Sequence, residues 1–192
     1  MAVKKFLLIR HGKTQGNLER RYIGNPDEPL CPEGLRGVAD LARSGKLPPV
    51  NVLMSGQALR CRQTAELLFP KLPYALCPMS EIDFGVFKGK NAGEMLGDRD
   101  YEAWLETNCM GDIPGGDSVS GFKKRCNNIF QRIAESSVDG TMALVIHGGN
   151  IMAVLEQFVL PKQDFYAYHV PNCGFFLCCW EGGMLTVERK GP

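Results

Sequence analysis

The sequence predicts an α/β protein, a three-layer α/β/α sandwich around a largely parallel central sheet. Short apolar runs of strand length alternate with longer segments of helical periodicity. Three of the strand candidates end in residues suited to an anion: Arg10-His11, Ser55 with Arg60 just beyond it, and His147. In such a sheet ligands sit beyond the carboxyl ends of the strands, so residues distant in sequence would share one edge.

Taken in order, Phe6 to Ile9 is a buried-strand run that delivers Arg10-His11-Gly12 at its end. A loop from Gly24 to Pro32 leads to a modest helix over residues 33–42. The Pro48-Pro49 break precedes a second strand, Val50 to Met54. Leu59, Ala65, Leu67 and Leu68 give helical spacing inside Ala58 to Phe69, stopped at Pro70. After the turn Pro114-Gly115-Gly116, Asp117 or Ser118 can cap a helix. Its apolar positions Val119, Phe122, Cys126, Ile129 and Ile133 follow 3-4-3-4 spacing. Met142 to Ile146 is the third strand, Ile151 to Leu160 the helix after it. Cys173 to Trp180 and Met184 to Glu188 form a closing hairpin around Glu181-Gly182-Gly183. The least regular stretch, Lys88 to Pro114, is expected to be a substrate-covering insertion within a single domain spanning residues 1–192.

Bulk properties narrow the class. With 192 residues, 44% of them hydrophobic and 22% charged, the chain can bury one sizeable core. A formal net charge of +1 gives no reason to expect nucleic acid or a membrane surface as partner. The apolar run before Arg10 is too short for a secretory signal and no segment has transmembrane length, so a soluble, cytoplasmic protein is expected. Eight cysteines occur without a CxxC pair, and the histidines number only three, so no zinc-ligand spacing exists. Reduced thiols packing as small hydrophobes are expected, with no metal and no cofactor. A cysteine nucleophile five residues before an arginine, with glycines between, is absent.

Cleaving a phosphate monoester requires fork-shaped cationic donors for a dianion, an in-line nucleophile and an acid for the departing oxygen. Neutral histidine serves as nucleophile when one ring nitrogen is free and the other is fixed. Among His11, His147 and His169, the first two stand at strand ends before glycine, where a ligand can approach the backbone. An isolated strand-end histidine is more often structural; the setting of His11 between Arg10 and Gly12 reverses that preference.

These residues sit inside longer motifs. Ile9-Arg10-His11-Gly12-Lys13-Thr14 with Asn17 resembles the signature of the histidine phosphatase superfamily, also called phosphoglycerate-mutase-like. Gly24-Asn25-Pro26-Asp27-Glu28-Pro29-Leu30 with Gly34, then Arg60-Cys61-Arg62-Gln63-Thr64-Ala65, are similar to its next two motifs. Glu81-Ile82-Asp83-Phe84-Gly85 with Gly89, Pro114 to Ser118, and Val145-Ile146-His147-Gly148-Gly149 complete the series along nearly the whole chain.

The resemblance implies the phosphoglycerate-mutase-like fold and a metal-independent hydrolysis of a small phosphorylated metabolite through phosphohistidine. It implies His11 as nucleophile, Arg10, Arg60 and His147 as the phosphate pocket, and Glu81 as proton donor. Asn17 and Gly148 would be further substrate contacts. Composition alone does not separate Arg60 from Arg62, or Glu81 from Asp83 and Glu94; the family spacing does. His169 has no motif and is read as structural or substrate-side. The chain departs from the common pattern at Lys13, Cys31, Gly37, Ser55-Gly56-Gln57 and Lys88, none of them a catalytic position. The length and architecture resemble the bacterial α-ribazole-5′-phosphate phosphatases, with the fructose-2,6-bisphosphatase type also open. A phosphoglycerate mutase is the first alternative, disfavoured because the stretch from Glu81 to His147 is short and leaves a phosphohistidine open to water. A non-catalytic phosphate-binding module is the second, and it would be expected to have lost His11 or Glu81. A homodimer is the one protein partnership left open.

Overall fold

A computed structural model describes residues 4–24 and 27–192 of the chain, so the Asn25-Pro26 part of the expected Gly24–Pro32 loop lies outside the described residues. Strands β1 (Lys4–Arg10), β2 (Val52–Gly56), β3 (Tyr74–Cys77), β4 (Gly140–Ile146), β5 (Phe175–Glu181) and β6 (Met184–Lys190) form one sheet in the order β3-β2-β4-β1-β5-β6. β3, β2, β4 and β1 are mutually parallel; β5 runs against β1, and β6 turns back against β5. The sheet is therefore mixed by virtue of β5 alone, as the closing hairpin requires.

Phe6, Leu7, Leu8 and Ile9 in β1 are wholly buried, because alternate residues of the run serve two cores. Phe6 and Leu8 join Leu144 and Ile146 against Phe130, Ile151 and Leu155. Those partners come from α5 (Val119–Ser136) and α6 (Gly148–Phe158). Leu7 and Ile9 join Ala143 and Val145 on the other side, against α2 (Pro32–Arg43) and α3 (Leu59–Leu68) through Val38, Leu41, Cys61 and Leu68. Two helical layers on one sheet give the sandwich that the alternation predicts. A short helix, α1 (Gln15–Leu18), follows β1, and α4 (Arg99–Glu106) lies in the insertion.

Residues 88–114 are more ordered than their composition suggests. Asp98 caps α4, its carboxylate accepting from the Asp100 and Tyr101 amides. Phe87, Met95, Tyr101 and Trp104 pack with Val119 and Phe122 of α5 in a third hydrophobic cluster. The segment is thus held down by aromatic burial, a signal that periodicity over so short a helix does not reveal.

Other differences are local. β3 is a short, half-exposed edge strand without alternation, and the sequence pattern gives no strand there. α6 starts at Gly148 rather than Ile151, because Asn150 Oδ1 accepts the His147 amide at 3.2 Å and offsets the low helix propensity of two glycines. β5 starts at Phe175, not Cys173, which has φ +63° in the preceding turn. Ser118 is the cap of α5, accepting from the Gly121 amide at 3.1 Å. Cys31 caps α2 through its sulfur, 3.4 Å from the Gly34 amide, with Pro32 at the first helical position. All eight cysteines are unpaired. Among the described residues, no helix is long and apolar enough to cross a membrane.

Phe130 lies between Phe6, Phe158 and Trp180, with ring centroids 5.1, 5.3 and 5.7 Å away. Phe130→Ala is expected to lower unfolding free energy by about 3–5 kcal/mol, read as a reduced midpoint in urea at unchanged slope.

Candidate active site

The site is built at the carboxyl edge of the parallel strands. His11, the first residue past β1, extends the ladder by donating its amide to Ile146 O at 3.1 Å. The Gly12 amide donates to Thr64 Oγ1 at 2.9 Å, and that hydroxyl donates to Arg60 O at 2.7 Å, tying the end of β1 to α3. Only a glycine fits at position 12, since a Cβ there would stand 2.7 Å from Val38 Cγ2. The His11 ring is 2% exposed. Its Nδ1 lies 2.7 Å from Gly12 O. A carbonyl oxygen only accepts, so Nδ1 carries the proton and Nε2 keeps its lone pair.

Two guanidinium groups lie close to the His147 ring that adjoins this imidazole. Arg60 is 1% exposed; its Nη2 donates to Gly24 O at 2.9 Å and to Glu81 Oε2 at 2.7 Å. Arg10 donates to Val170 O at 2.8 Å, while its buried Nε has no acceptor. Among the described residues, no carboxylate forms an ion pair with Arg10. His147, the first residue past β4, stacks edge-on to His11 with centroids 5.2 Å apart. Its Nδ1 is 3.4 Å from Arg60 Nη2 and 3.5 Å from Glu81 Oε2. Burial is the main force pushing both histidines well below the usual imidazole value; for His11 the adjoining His147 adds to it, and for His147 the two arginines do. Both are therefore neutral near pH 7, while arginine keeps its charge. Among the described residues, Glu81 thus stands against the buried Arg60 and the half-buried Arg10, an electrostatic invitation to a further anion.

All the residues expected in the site meet here. Asn17 Oδ1 accepts from the Thr14 amide at 3.1 Å and from Asn172 Nδ2 at 3.1 Å, so its Nδ2 is the end left to donate. Gly148 admits Arg10, since a Cβ at that position would lie 3.2 Å from Arg10 Nε. The rival candidates have other partners. Arg62 is partly exposed and 3.7 Å from Asp27. Glu94 forms a two-armed pair with Arg21 at 2.7 and 3.0 Å. The Asp83 carboxylate accepts the Gly85 amide at 3.1 Å.

Asn172 was not visible in the sequence. Its Nδ2 donates to both His11 O and Asn17 Oδ1 at 3.1 Å, so one amide fixes the backbone of His11 and the orientation of Asn17. No spacing rule singles out an asparagine 161 residues from His11. Asn150 is similarly hidden: beyond the His147 amide, it donates to Ser80 O at 2.9 Å, next to Glu81. His169 lines the mouth of the site beside Arg10, together with Trp104, Leu105, Asn108 and Cys109 from the insertion. Among the described residues, no group of three or more histidines, cysteines or carboxylates could hold a metal ion.

Neutral burial of two histidines has a thermodynamic signature. Their native pKa values lie below the unfolded value of about 6.5, so unfolding takes up protons at acid pH. The stability they contribute is complete above that value and is lost as pH falls toward their native pKa values. Urea unfolding between pH 7.5 and 5 should show a decline approaching ~1.4 kcal/mol per pH unit for each histidine. His11→Gln should flatten that decline; an unchanged slope would contradict neutral burial of His11.

The family model of the histidine phosphatase superfamily (branch 1) matches residues 6–191. The adenosylcobalamin/alpha-ribazole phosphatase of Escherichia coli is 22% identical over 189 residues, 95% of this chain and 90% of that protein. In fold, the chain superposes on the crystal structure of the alpha-ribazole phosphatase from Shigella flexneri with a TM-score of 0.86 at 20% identity, covering 98% of this chain and 96% of that one. A phosphoserine phosphatase from Entamoeba histolytica, solved with 3-phosphoglyceric acid, gives a TM-score of 0.85 at 23% identity over 98% and 97% of the two chains. By its sequence from residue 6 to 191 and by its architecture, the chain belongs to the histidine phosphatase superfamily.

Proposed function

We propose that the chain hydrolyses small phosphate monoesters without a metal ion, through a phosphohistidine on His11. The observation that carries this reading is the neutral His11 ring, its Nδ1 tied to Gly12 O, in a site whose Arg10 forms no ion pair among the described residues. Arg10, Arg60 and a ring N–H of His147 would hold the phosphoryl oxygens, with Asn17 Nδ2 adding a donor. His11 Nε2 attacks phosphorus, and the phosphorus–oxygen ester bond breaks opposite it. Glu81, 2.7 Å from Arg60 and 3.5 Å from His147, gives its proton to the departing oxygen. A bound dianion competes with Glu81 for Arg60. Glu81 then takes a proton from water as the water oxygen attacks phosphorus; the nitrogen–phosphorus bond breaks, releasing inorganic phosphate and neutral His11.

Relatives named for α-ribazole phosphate and for phosphoserine share this fold, so the reaction type is better supported than any one substrate.

Incubation with a phosphate ester and acid-sensitive labelling should give a phosphoenzyme that His11→Ala abolishes; persistent labelling would move the nucleophile elsewhere. Because arginines supply the positive charge, turnover should survive exhaustive chelation of divalent metal. Glu81→Gln should slow alkyl phosphates by about 10²–10⁴ and p-nitrophenyl phosphate by no more than about tenfold, since acid help matters most for a basic leaving oxygen. Equal slowing of both would reassign the acid.

A further inference from the structure

The proton donor of the proposed reaction sits on chain that neither a helix nor a strand holds. Residues 78–84 run between β3 and a 3₁₀ turn at Gly85–Phe87, without regular structure of their own. The Glu81 carboxylate leans on Arg60 Nη2 at 2.7 Å, the same guanidinium that a bound phosphoryl group would claim. A carboxyl group released from that partner needs a second restraint, and its own backbone is the place to look.

Asn150 provides one. Its side chain is fully buried at the start of α6, and each end meets a group of fixed polarity. The His147 amide can only donate, and it meets Oδ1 at 3.2 Å. The Ser80 carbonyl can only accept, and it meets Nδ2 at 2.9 Å. The other Nδ2 proton is left for Cys126 Sγ, 3.2 Å away. The orientation of this amide is therefore forced, since turning it over would set donor against donor and acceptor against acceptor. One planar group thus joins the residue before Glu81 to the backbone of His147. Across that link, Glu81 Oε2 stands 3.5 Å from His147 Nδ1.

We propose that Asn150 is a positioning residue for the acid step, holding Glu81 where its proton reaches the departing oxygen. The inference rests on the hydrolase reading above and deepens it. Asn150 touches no reacting atom; it acts on Glu81 through the Ser80 carbonyl. Its loss weakens protonation of a basic leaving oxygen and spares a leaving group that departs unaided. A purely structural role, as helix cap or core filler, would lower the turnover of all esters alike.

That difference gives the test. Asn150→Asp keeps the size and an acceptor for the His147 amide, and a carboxylate suits the first turn of a helix. It sets an oxygen against the Ser80 carbonyl in place of the donor. Asn150→Ser, one bond shorter and uncharged, is the second variant and covers the case in which the first does not fold. Both are measured for kcat/KM on ethyl phosphate and p-nitrophenyl phosphate, alone and combined with Glu81→Gln. Either Asn150 variant should lower the ethyl-to-nitrophenyl ratio by at least about tenfold, a part of the loss that Glu81→Gln causes. With Gln already at position 81, the same substitutions should move the ratio by less than about twofold, because the group they position is gone. Equal slowing of the two esters, an unmoved ratio, or a full further loss on top of Glu81→Gln would overturn the proposal. The hydrolase reading fails at a different point, in the single Glu81→Gln variant: an unchanged ratio there removes the acid, and the role of Asn150 falls with it.

Discussion

The hydrogen bond from His11 Nδ1 to Gly12 O is the constraint on which the site depends. It fixes the tautomer, and therefore which nitrogen keeps its lone pair. It also fixes the ring against its own backbone, so the histidine cannot turn away without leaving a buried N–H unpaired. Much of the surrounding architecture holds that small loop rigid. Thr64 secures the Gly12 amide, β4 secures the His11 amide, and Asn172 secures the His11 carbonyl. Each support comes from a different layer of the fold, which is why the site sits where sheet, α3 and the final loop converge.

A second tension is electrostatic. Arg60 is almost completely enclosed and paired with Glu81, and Arg10 reaches the same place with one backbone carbonyl as partner. Half-burying Arg10 without an ion pair among the described residues lowers stability. Such an arrangement is expected where the missing charge arrives with a ligand. The third hydrophobic cluster offsets part of that cost by pinning the insertion next to the charges. It also removes water from one side of them, which strengthens their pull on an anion.

How much of this was legible beforehand follows from the kind of signal each part leaves. β1 and β4 are unbroken apolar runs ending in histidine, so both their existence and their chemistry could be read directly. The 3-4-3-4 spacing of α5 survives as a buried stripe of Val119, Phe122, Cys126 and Phe130, with Ile129 and Ile133 partly covered. β3 and α4 escaped because short elements carry too few residues to show a period, and tertiary contacts decide them. The site divides in the same manner. Residues in ordered motifs, from Arg10 to His147, could be named, whereas Asn172, Asn150 and the Trp104 wall act through geometry that no spacing encodes. Choosing Arg60 over Arg62, and Glu81 over Asp83, needed the family pattern; in the structure, burial alone separates the two arginines.

The reversal of β5 has a consequence for assembly. β1 lies between β4 and β5, strands that begin at Gly140 and Phe175, and the loop leading into β5 brings Val170 and Asn172 to Arg10 and His11. Both neighbours of the first strand therefore belong to the last third of the chain. On the ribosome, β1 must wait, unpaired and strongly apolar, until nearly all of the protein has emerged. Contacts this distant in sequence favour slow folding. His11 gains its neighbours only at that final step, so a truncated or half-made chain holds this imidazole without the groups that enclose it.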